Sequence, residues 1–379
     1  MYFYENKRYS FDIMNKLPAF FFFFLLLSSL TTCSQKLTDT AAIYHYSGRV
    51  ERQDQNKALL IGSASSVSFA FTGTQCAINL KSVDSYEHHN YVSLELDGHY
   101  IGRLKVDAGA AKSYPIEVST KAKTHKLTVY KATEAANGSV LFEGTTASLT
   151  TQKHITKKKI EFIGNSITCG MGNDTKEVPC DTGVWYDQHN AYWAYGPIVS
   201  RSLNADYVLS SVSGIGMYRN WNDEHEKEAI MPDVYENLYL NKDTSKPYNF
   251  EFQPDLVSIC LGTNDLSDGD GKKPRLPFNE EKYVANYIDF IKTVYQHAPK
   301  TRIVLLTSPM VSGTRNSTLV RCLKKVQEAF QSDTLHQPIA LFEYQPMEPK
   351  GCGYHPDIED HKLMAAQLEA TFKTLLNEK

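Results

Sequence analysis

The stretch KKIEFIGNSITCGMGN, Lys158–Asn173, sets an apolar run directly against a small polar residue, Ser166, with Gly164 before it and Gly170 after it. An unbroken apolar run bounded by glycine fits a strand buried on both faces, and such strands belong to parallel sheets covered by helices. Four more runs of this kind follow: YVLSSVS (Tyr207–Ser213), DLVSICLG (Asp255–Gly262), RIVLLTSP (Arg302–Pro309) and IALFEY (Ile339–Tyr344). Apolar residues recur at helical spacing in Glu280–Ala298, Ser317–Asp333 and Glu359–Lys379. Strand and helix therefore alternate, which predicts a three-layer α/β/α domain with a mainly parallel sheet over residues 156–379. In such sheets ligands sit beyond the carboxyl ends of the strands, so the residues just after each run carry the functional interest.

Upstream the period changes. From 42 to 150 the chain consists of short alternating segments such as SVSFAFTG, CAINLKSV, YVSLELDG and HKLTVYKA, separated by Gly, Asp and Asn turns. These predict an antiparallel β-sandwich or jelly-roll domain. Within ELDGHYIG (Glu95–Gly102), Asp97-Gly98 supplies the positive φ values that a tight hairpin demands. The basic stretch QKHITKKK joins the two halves.

Residues 1–35 read as an export signal, with Lys16, an apolar block from Ala19 to Leu27 and small polar residues ending at Cys33. The block is shorter than the ~20 residues a membrane-spanning helix needs. LTTC (Leu30–Cys33) is similar to a bacterial lipobox, which makes Cys33 the lipid-modified first residue of a periplasmic or cell-surface chain tethered to the outer membrane. Met14 is a candidate start. Export implies an oxidising compartment, where Cys76, Cys169, Cys180, Cys260, Cys322 and Cys352 allow up to three disulfides of open connectivity. No cysteine or histidine spacing matches a zinc site, so no metal or cofactor is expected. A formal charge of −3 without long Lys/Arg runs gives no electrostatic footprint for nucleic acid.

Four residues stand where the strands end. Ser166 is either a nucleophile exposed at the strand-to-helix turn or an N-cap serine. In SSVSGIGMYRNW (Ser210–Trp221), Gly214 either offers a backbone N–H to an oxyanion or merely turns the chain. In ICLGTNDLSDG, Asn264 is either a further donor to the same point or a turn residue. In GCGYHPDIEDHKLMA, His355 precedes the last helix, as a general base or as a cap; His361 lies within that helix and reads as structural.

Taken in order, FIGNSITCGMG, SGIGMYRN, LGTND and HPDIEDH resemble the four blocks of the SGNH (GDSL-like) hydrolase superfamily, from Lys158 to the C-terminus. GNSITCG, SGIGMYRNW, LGTNDLS and GCGYHP, preceded by a β domain, further resemble carbohydrate esterase family 2, whose members remove acetyl groups from plant polysaccharides such as xylan and glucomannan. The resemblance implies acyl transfer by Ser166 and His355, with the Ser166 N–H, the Gly214 N–H and the Asn264 side chain holding the oxyanion. The chain departs from the wider superfamily at two positions. Asn165 replaces the Asp of GDS, and Cys352 occupies the place of the triad Asp, three residues before His355. By analogy with family members that lack this Asp, a backbone carbonyl is expected to orient His355, with Asp357 as an alternative third member. Trp221, Tyr218 and Trp185 are the expected saccharide contacts. The implied partner is an acetylated polysaccharide or oligosaccharide. Another acyl ester, such as a sialic acid O-acetyl group, and a non-catalytic carbohydrate-binding protein are the alternatives.

Overall fold

The computed structural model describes residues 43–84, 88–118, 123–152 and 155–377; the expected export signal and Cys33 lie outside them. Among the described residues no helix is long and apolar enough to cross a membrane.

Eleven described strands precede residue 151: β1 (His45–Ser47), β2 (Val50–Arg52), β3 (Ala58–Leu60), β4 (Ser66–Thr72), β5 (Gln75–Val83), β6 (Asn90–Leu96), β7 (His99–Val106), β8 (Lys112–Glu117), β9 (Thr124–Lys131), β10 (Ser139–Thr145) and β11 (Ser148–Thr150). They form two antiparallel sheets, β1-β4-β9-β6-β7 with β11 also on β4, and β2-β3-β10-β5-β8. Val67, Phe69, Val92 and Leu94 of the first sheet meet Ile78, Leu80, Val140 and Phe142 of the second in one apolar core. The β6–β7 turn is Asp97-Gly98, with φ of 53° and 81°, as the hairpin chemistry required. β5 alternates between buried and half-buried positions, whereas β4 and β6 are buried along most of their length. Their second face is covered by the α/β half. Ser93 Oγ donates to Asn190 Oδ1 at 2.7 Å, and the Tyr192 hydroxyl donates to Glu95 Oε2 at 2.9 Å.

The five apolar runs form β12 (Lys159–Gly164), β13 (Asp206–Ser211), β14 (Leu256–Cys260), β15 (Arg302–Leu306) and β16 (Ala340–Phe342), all parallel, in the order β13-β12-β14-β15-β16. The helices are α1 (Ser166–Cys169), α2 (Tyr195–Ser202), α3 (Met231–Val234), α4 (Glu280–His297), α5 (Gly313–Ala329) and α6 (Ile358–Asn377). Tyr283, Tyr287 and Leu319 of α4 and α5 pack with Ile259 and Leu305 on one face of the sheet. Tyr195, Val199, Leu368 and Phe372 of α2 and α6 pack with Phe162 and Leu306 on the other. The three-layer expectation holds.

Regular alternation fails between β13 and β14, where α3 is a single helical turn and most of the long connection is irregular. Two of its backbone carbonyls are met by Arg49, a residue of the sandwich half that is 1% exposed. Arg49 Nη1 donates to the Asn237 carbonyl at 2.7 Å and Nη2 to the Tyr235 carbonyl at 2.8 Å. Nη2 also reaches Ser210 Oγ (3.1 Å), which donates to Glu161 Oε1 at 2.6 Å, and the Tyr235 hydroxyl donates to Glu161 Oε2 at 3.0 Å. The guanidinium lies 4.1 Å from the centre of the Tyr248 ring. Burial pushes the Glu161 carboxyl up; Ser210, Arg49 and Tyr235 oppose that shift.

Removing one partner of a buried charge network leaves the other uncompensated, at a cost of about 3–5 kcal/mol. Arg49→Ala is therefore expected to lower the urea unfolding midpoint strongly, with Ser166→Ala unfolding as the wild type does. An unchanged midpoint for Arg49→Ala would remove this network from the account of the fold.

Candidate active site

β12 ends at Gly164, where an added Cβ would lie 2.0 Å from Thr168 Oγ1. Glycine is required here by the close approach of the following helical turn. Asn165 then caps α1: its Oδ1 accepts the Ile167 N–H at 3.1 Å. The capping role open to Ser166 thus belongs to its neighbour, and Ser166 takes the first helical position. Gly170, with φ 75°, ends the turn in the left-handed conformation.

His355 Nε2 lies 2.7 Å from Ser166 Oγ, and Nδ1 lies 2.8 Å from the Gly353 carbonyl. A carbonyl can only accept, so Nδ1 carries the proton and Nε2 is left to accept the serine hydroxyl. Asp357, the alternative third member, is engaged elsewhere: its Oδ1 accepts the Asp360 N–H at 2.8 Å at the start of α6. Cys352 is bonded to Cys180 in a disulfide, with Cα atoms 5.1 Å apart. Of the three disulfides the cysteines allowed, this is the one formed among the described residues, and Cys76, Cys169, Cys260 and Cys322 are buried as free thiols. The histidine loop is also tied to the serine loop through its backbone. The Cys352 N–H donates to the Gly172 carbonyl at 2.9 Å, and the Ile358 N–H to the Asn173 carbonyl at 3.1 Å. Desolvation holds the His355 pKa below its ordinary value, against the raising effect of the Gly353 carbonyl.

Gly164 pairs in register with Ser211 of β13 and Cys260 of β14, so the serine, glycine and asparagine loops leave from one end of the sheet. Gly214 has φ 77°, and an added side chain would meet no protein atom within 4 Å, which leaves open space beside its backbone. Its N–H donates to no acceptor among the described residues, while its carbonyl accepts the Trp221 N–H at 2.8 Å. Asn264 is 7% exposed; its Nδ2 donates to the Ile215 carbonyl at 2.7 Å, and one amide hydrogen remains for another acceptor. Asp265 anchors the glycine block: its carboxylate accepts the N–H groups of Met217 (3.0 Å), Tyr218 (2.8 Å) and Arg219 (3.3 Å). Burial pushes the Asp265 pKa up to about 6 despite these bonds.

The aromatic candidates separate. Trp221 and Trp185 are 46% and 52% exposed, but Tyr218 is 4% exposed. The Tyr218 hydroxyl accepts the Asn279 N–H at 3.0 Å and its ring packs on Phe278 and Tyr283, so the expected saccharide contact there is replaced by a core role. His361 is buried and accepts the Tyr195 N–H, in keeping with a structural role. Asp265 was missed although it adjoins Asn264, because an Asp in such a segment reads as a turn residue. Glu134, whose carboxylate accepts the Ser213 N–H at 2.6 Å, had no local signal at all.

Residues 46–154 match the family described as Carbohydrate esterase 2 N-terminal, and residues 162–335 match the GDSL-like Lipase/Acylhydrolase family. The chain is 29% identical over 264 residues to an acetylxylan esterase / glucomannan deacetylase of Cellvibrio japonicus, covering 66% of this chain and 69% of that protein. It is 28% identical over 340 residues to the cellulase/esterase CelE of Acetivibrio thermocellus, covering 87% of this chain but only 39% of that protein. Among solved structures, a family two carbohydrate esterase from Clostridium thermocellum, in complex with cellohexaose, superposes with a TM-score of 0.76 at 27% identity, over 88% of this chain and 99% of that one. An acetyl xylan esterase from Butyrivibrio proteoclasticus gives 0.76 at 25% identity, over 89% and 97%. With both halves matched in order and solved relatives superposed over nearly their full length, the chain is a GDSL-like ester hydrolase that resembles carbohydrate esterase family 2 across both halves.

Proposed function

We propose that this carbohydrate esterase removes O-acetyl groups from acetylated plant polysaccharide of the xylan or glucomannan type, with Ser166 as nucleophile and His355 as general base. The observation that carries the reading is the 2.7 Å contact between Ser166 Oγ and His355 Nε2, with Nδ1 held by the Gly353 carbonyl. The names of the Cellvibrio relative supply the substrate class.

In the first step Nε2 takes the Ser166 hydroxyl proton as Oγ attacks the acetyl carbonyl. The oxyanion is met by the Ser166 and Gly214 N–H groups and by the free amide hydrogen of Asn264. The imidazolium then gives its proton to the sugar oxygen as the ester C–O bond breaks, which leaves Ser166 acetylated. A water, deprotonated in turn by His355, releases acetate and restores Ser166. Trp185 and Trp221 offer exposed rings on which sugar units can lie, Trp221 beside the glycine block through its bond to Gly214. Export with a lipid at Cys33 would hold the enzyme where polysaccharide arrives from outside; Cys33→Ala is expected to move it from the membrane fraction to the soluble one.

The test compares wild type and Ser166→Ala on 4-nitrophenyl acetate and on acetylated xylan. Acetate release from both substrates by wild type alone is expected. Equal release by the two proteins would defeat the nucleophile assignment, and cleavage of the small ester alone would remove the polysaccharide. Asn264→Ala, which deletes one oxyanion donor, is expected to cost about 3 kcal/mol of transition-state stabilisation, on the order of 10²-fold in kcat. The pH profile follows from the lowered His355 pKa. Because the base must be neutral, kcat/KM should stay level down through the ordinary imidazole value of about 6.5 and fall only at more acid pH. A limb above that value would contradict the desolvated environment of His355.

A further inference from the structure

Glu134 is fully buried between the two halves, and no step above uses it. It belongs to the sandwich half, at the start of the short turn Ala135–Asn137 between β9 and β10. Its carboxylate nevertheless points into the α/β half. Oε2 accepts the Ser213 N–H at 2.6 Å and the Cys169 thiol at 3.4 Å. Ser213 directly precedes Gly214, and Cys169 closes the helical turn that Ser166 opens.

The surroundings are built to keep this group charged. His189 is also fully buried; it accepts the Gly172 N–H on Nδ1 at 3.4 Å, which leaves the proton on Nε2. That Nε2 faces Glu134 Oε1 at 3.7 Å, an ion-pair distance too long for a hydrogen bond, and neither atom has a hydrogen-bond partner among the described residues. Lys131 Nζ donates to the Glu134 carbonyl at 2.6 Å, and burial lowers its pKa to about 7. Desolvation opposes the charge on Glu134, but His189 and the Ser213 N–H overcome it and hold the carboxyl below its ordinary value.

We propose that Glu134 is a positioning residue of the esterase site: one carboxylate from the β-sandwich fixes the backbone that presents the Gly214 N–H and braces the turn that presents Ser166. The role rests on the Ser166–His355 chemistry proposed above. It also brings a negative charge within electrostatic reach of His355, whose triad carboxylate position is occupied here by disulfide-bonded Cys352. The charge of Glu134 favours the His355 imidazolium, while buried His189 opposes it. The other titratable groups that bear on the pair are Lys131 and Cys169 beside Glu134, and His361 on α6.

The experiment uses the full chain with Glu134→Ala, Glu134→Gln and Ser166→Ala, measured on 4-nitrophenyl acetate from acid to neutral pH, with thermal unfolding followed in parallel. Glu134→Ala leaves the Ser213 N–H without its acceptor, and a displacement of about 1 Å at the oxyanion donors costs on the order of 10²-fold. That loss is expected in kcat, with KM changed by less than about threefold, since substrate contacts stay in place. Glu134→Gln keeps an oxygen for the Ser213 N–H, so most of kcat should return. Because the charge that favoured the imidazolium is gone, its acid limb should move to lower pH. If both variants fold and keep the wild-type kcat and the wild-type limb, the proposal is overturned. A parallel loss of kcat and stability with the limb unmoved would also overturn it, leaving a purely structural residue. Should Glu134→Ala fail to fold, the limb of Glu134→Gln decides. Activity surviving in Ser166→Ala would instead strike the functional reading, and the positioning role would fall with it.

Discussion

A charge in a protein interior has to be met by hydrogen bonds or by a counter-charge, and this fold places two such sets at the seam between its sandwich and its α/β half. In one, Arg49 reaches Glu161 on β12 through Ser210, and also takes up two carbonyls of the irregular connection that follows β13. In the other, Lys131 and Glu134 face His189 and the backbone of the glycine block. Each set draws members from both halves: Arg49 is met by the α/β half, and the Glu134 carboxylate takes the Ser213 N–H across the seam. The docking register is thereby specified more tightly than apolar contact alone would require. The sheet face of β4 and β6, buried on both sides, is the apolar counterpart of the same constraint.

The catalytic geometry inherits this arrangement. The serine, glycine and asparagine loops leave one end of the parallel sheet beside the order reversal at β12, where an open α/β sheet leaves a crevice. The histidine loop arrives from the far end of the chain and is held there covalently, since the Cys180–Cys352 disulfide joins residues 172 apart in sequence. In exchange the site gives up a carboxylate at Cys352. The Gly353 carbonyl fixes the imidazole tautomer as well as an aspartate would, but it brings a dipole rather than a full charge. Burial lowers the His355 pKa against the raising effect of that carbonyl, which favours the neutral, proton-accepting ring. In the proposed mechanism the same arrangement leaves the imidazolium formed during attack with less compensation, which is where a distant carboxylate acquires weight.

Legibility differed by element. The apolar runs of β12 to β16, the long helices α4, α5 and α6, and the Asp97-Gly98 hairpin could all be read directly, because strand burial, helical spacing and turn geometry are local properties. Ser166 and His355 stood out by their positions at a strand end and before a helix. The long segment after β13 departs from the strand–helix alternation expected for this half. Two of its carbonyls are bonded by Arg49, a residue far earlier in the chain. Tyr218 shows the same limit at the scale of one side chain: its neighbours in sequence mark a functional loop, yet its ring is turned into the core.

By itself the sequence determined the layer pattern, the order of the four blocks and the identity of the nucleophile and base candidates, since these follow from residue type and short-range spacing. Only the tertiary structure decided that Asn165 rather than Ser166 caps α1, that Cys352 pairs with Cys180, that Gly353 and not Asp357 faces His355, and that Glu134 and Asp265 hold the glycine block. The Asn165 cap and the Gly353–His355 bond are local, but neighbouring residues could each take those roles until the folded backbone chose between them; for the disulfide and for the Glu134 and Asp265 contacts the physical reason is distance along the chain. A hydrogen bond or disulfide between segments many tens of residues apart leaves no periodic trace in either segment, and it exists only once packing has brought them together.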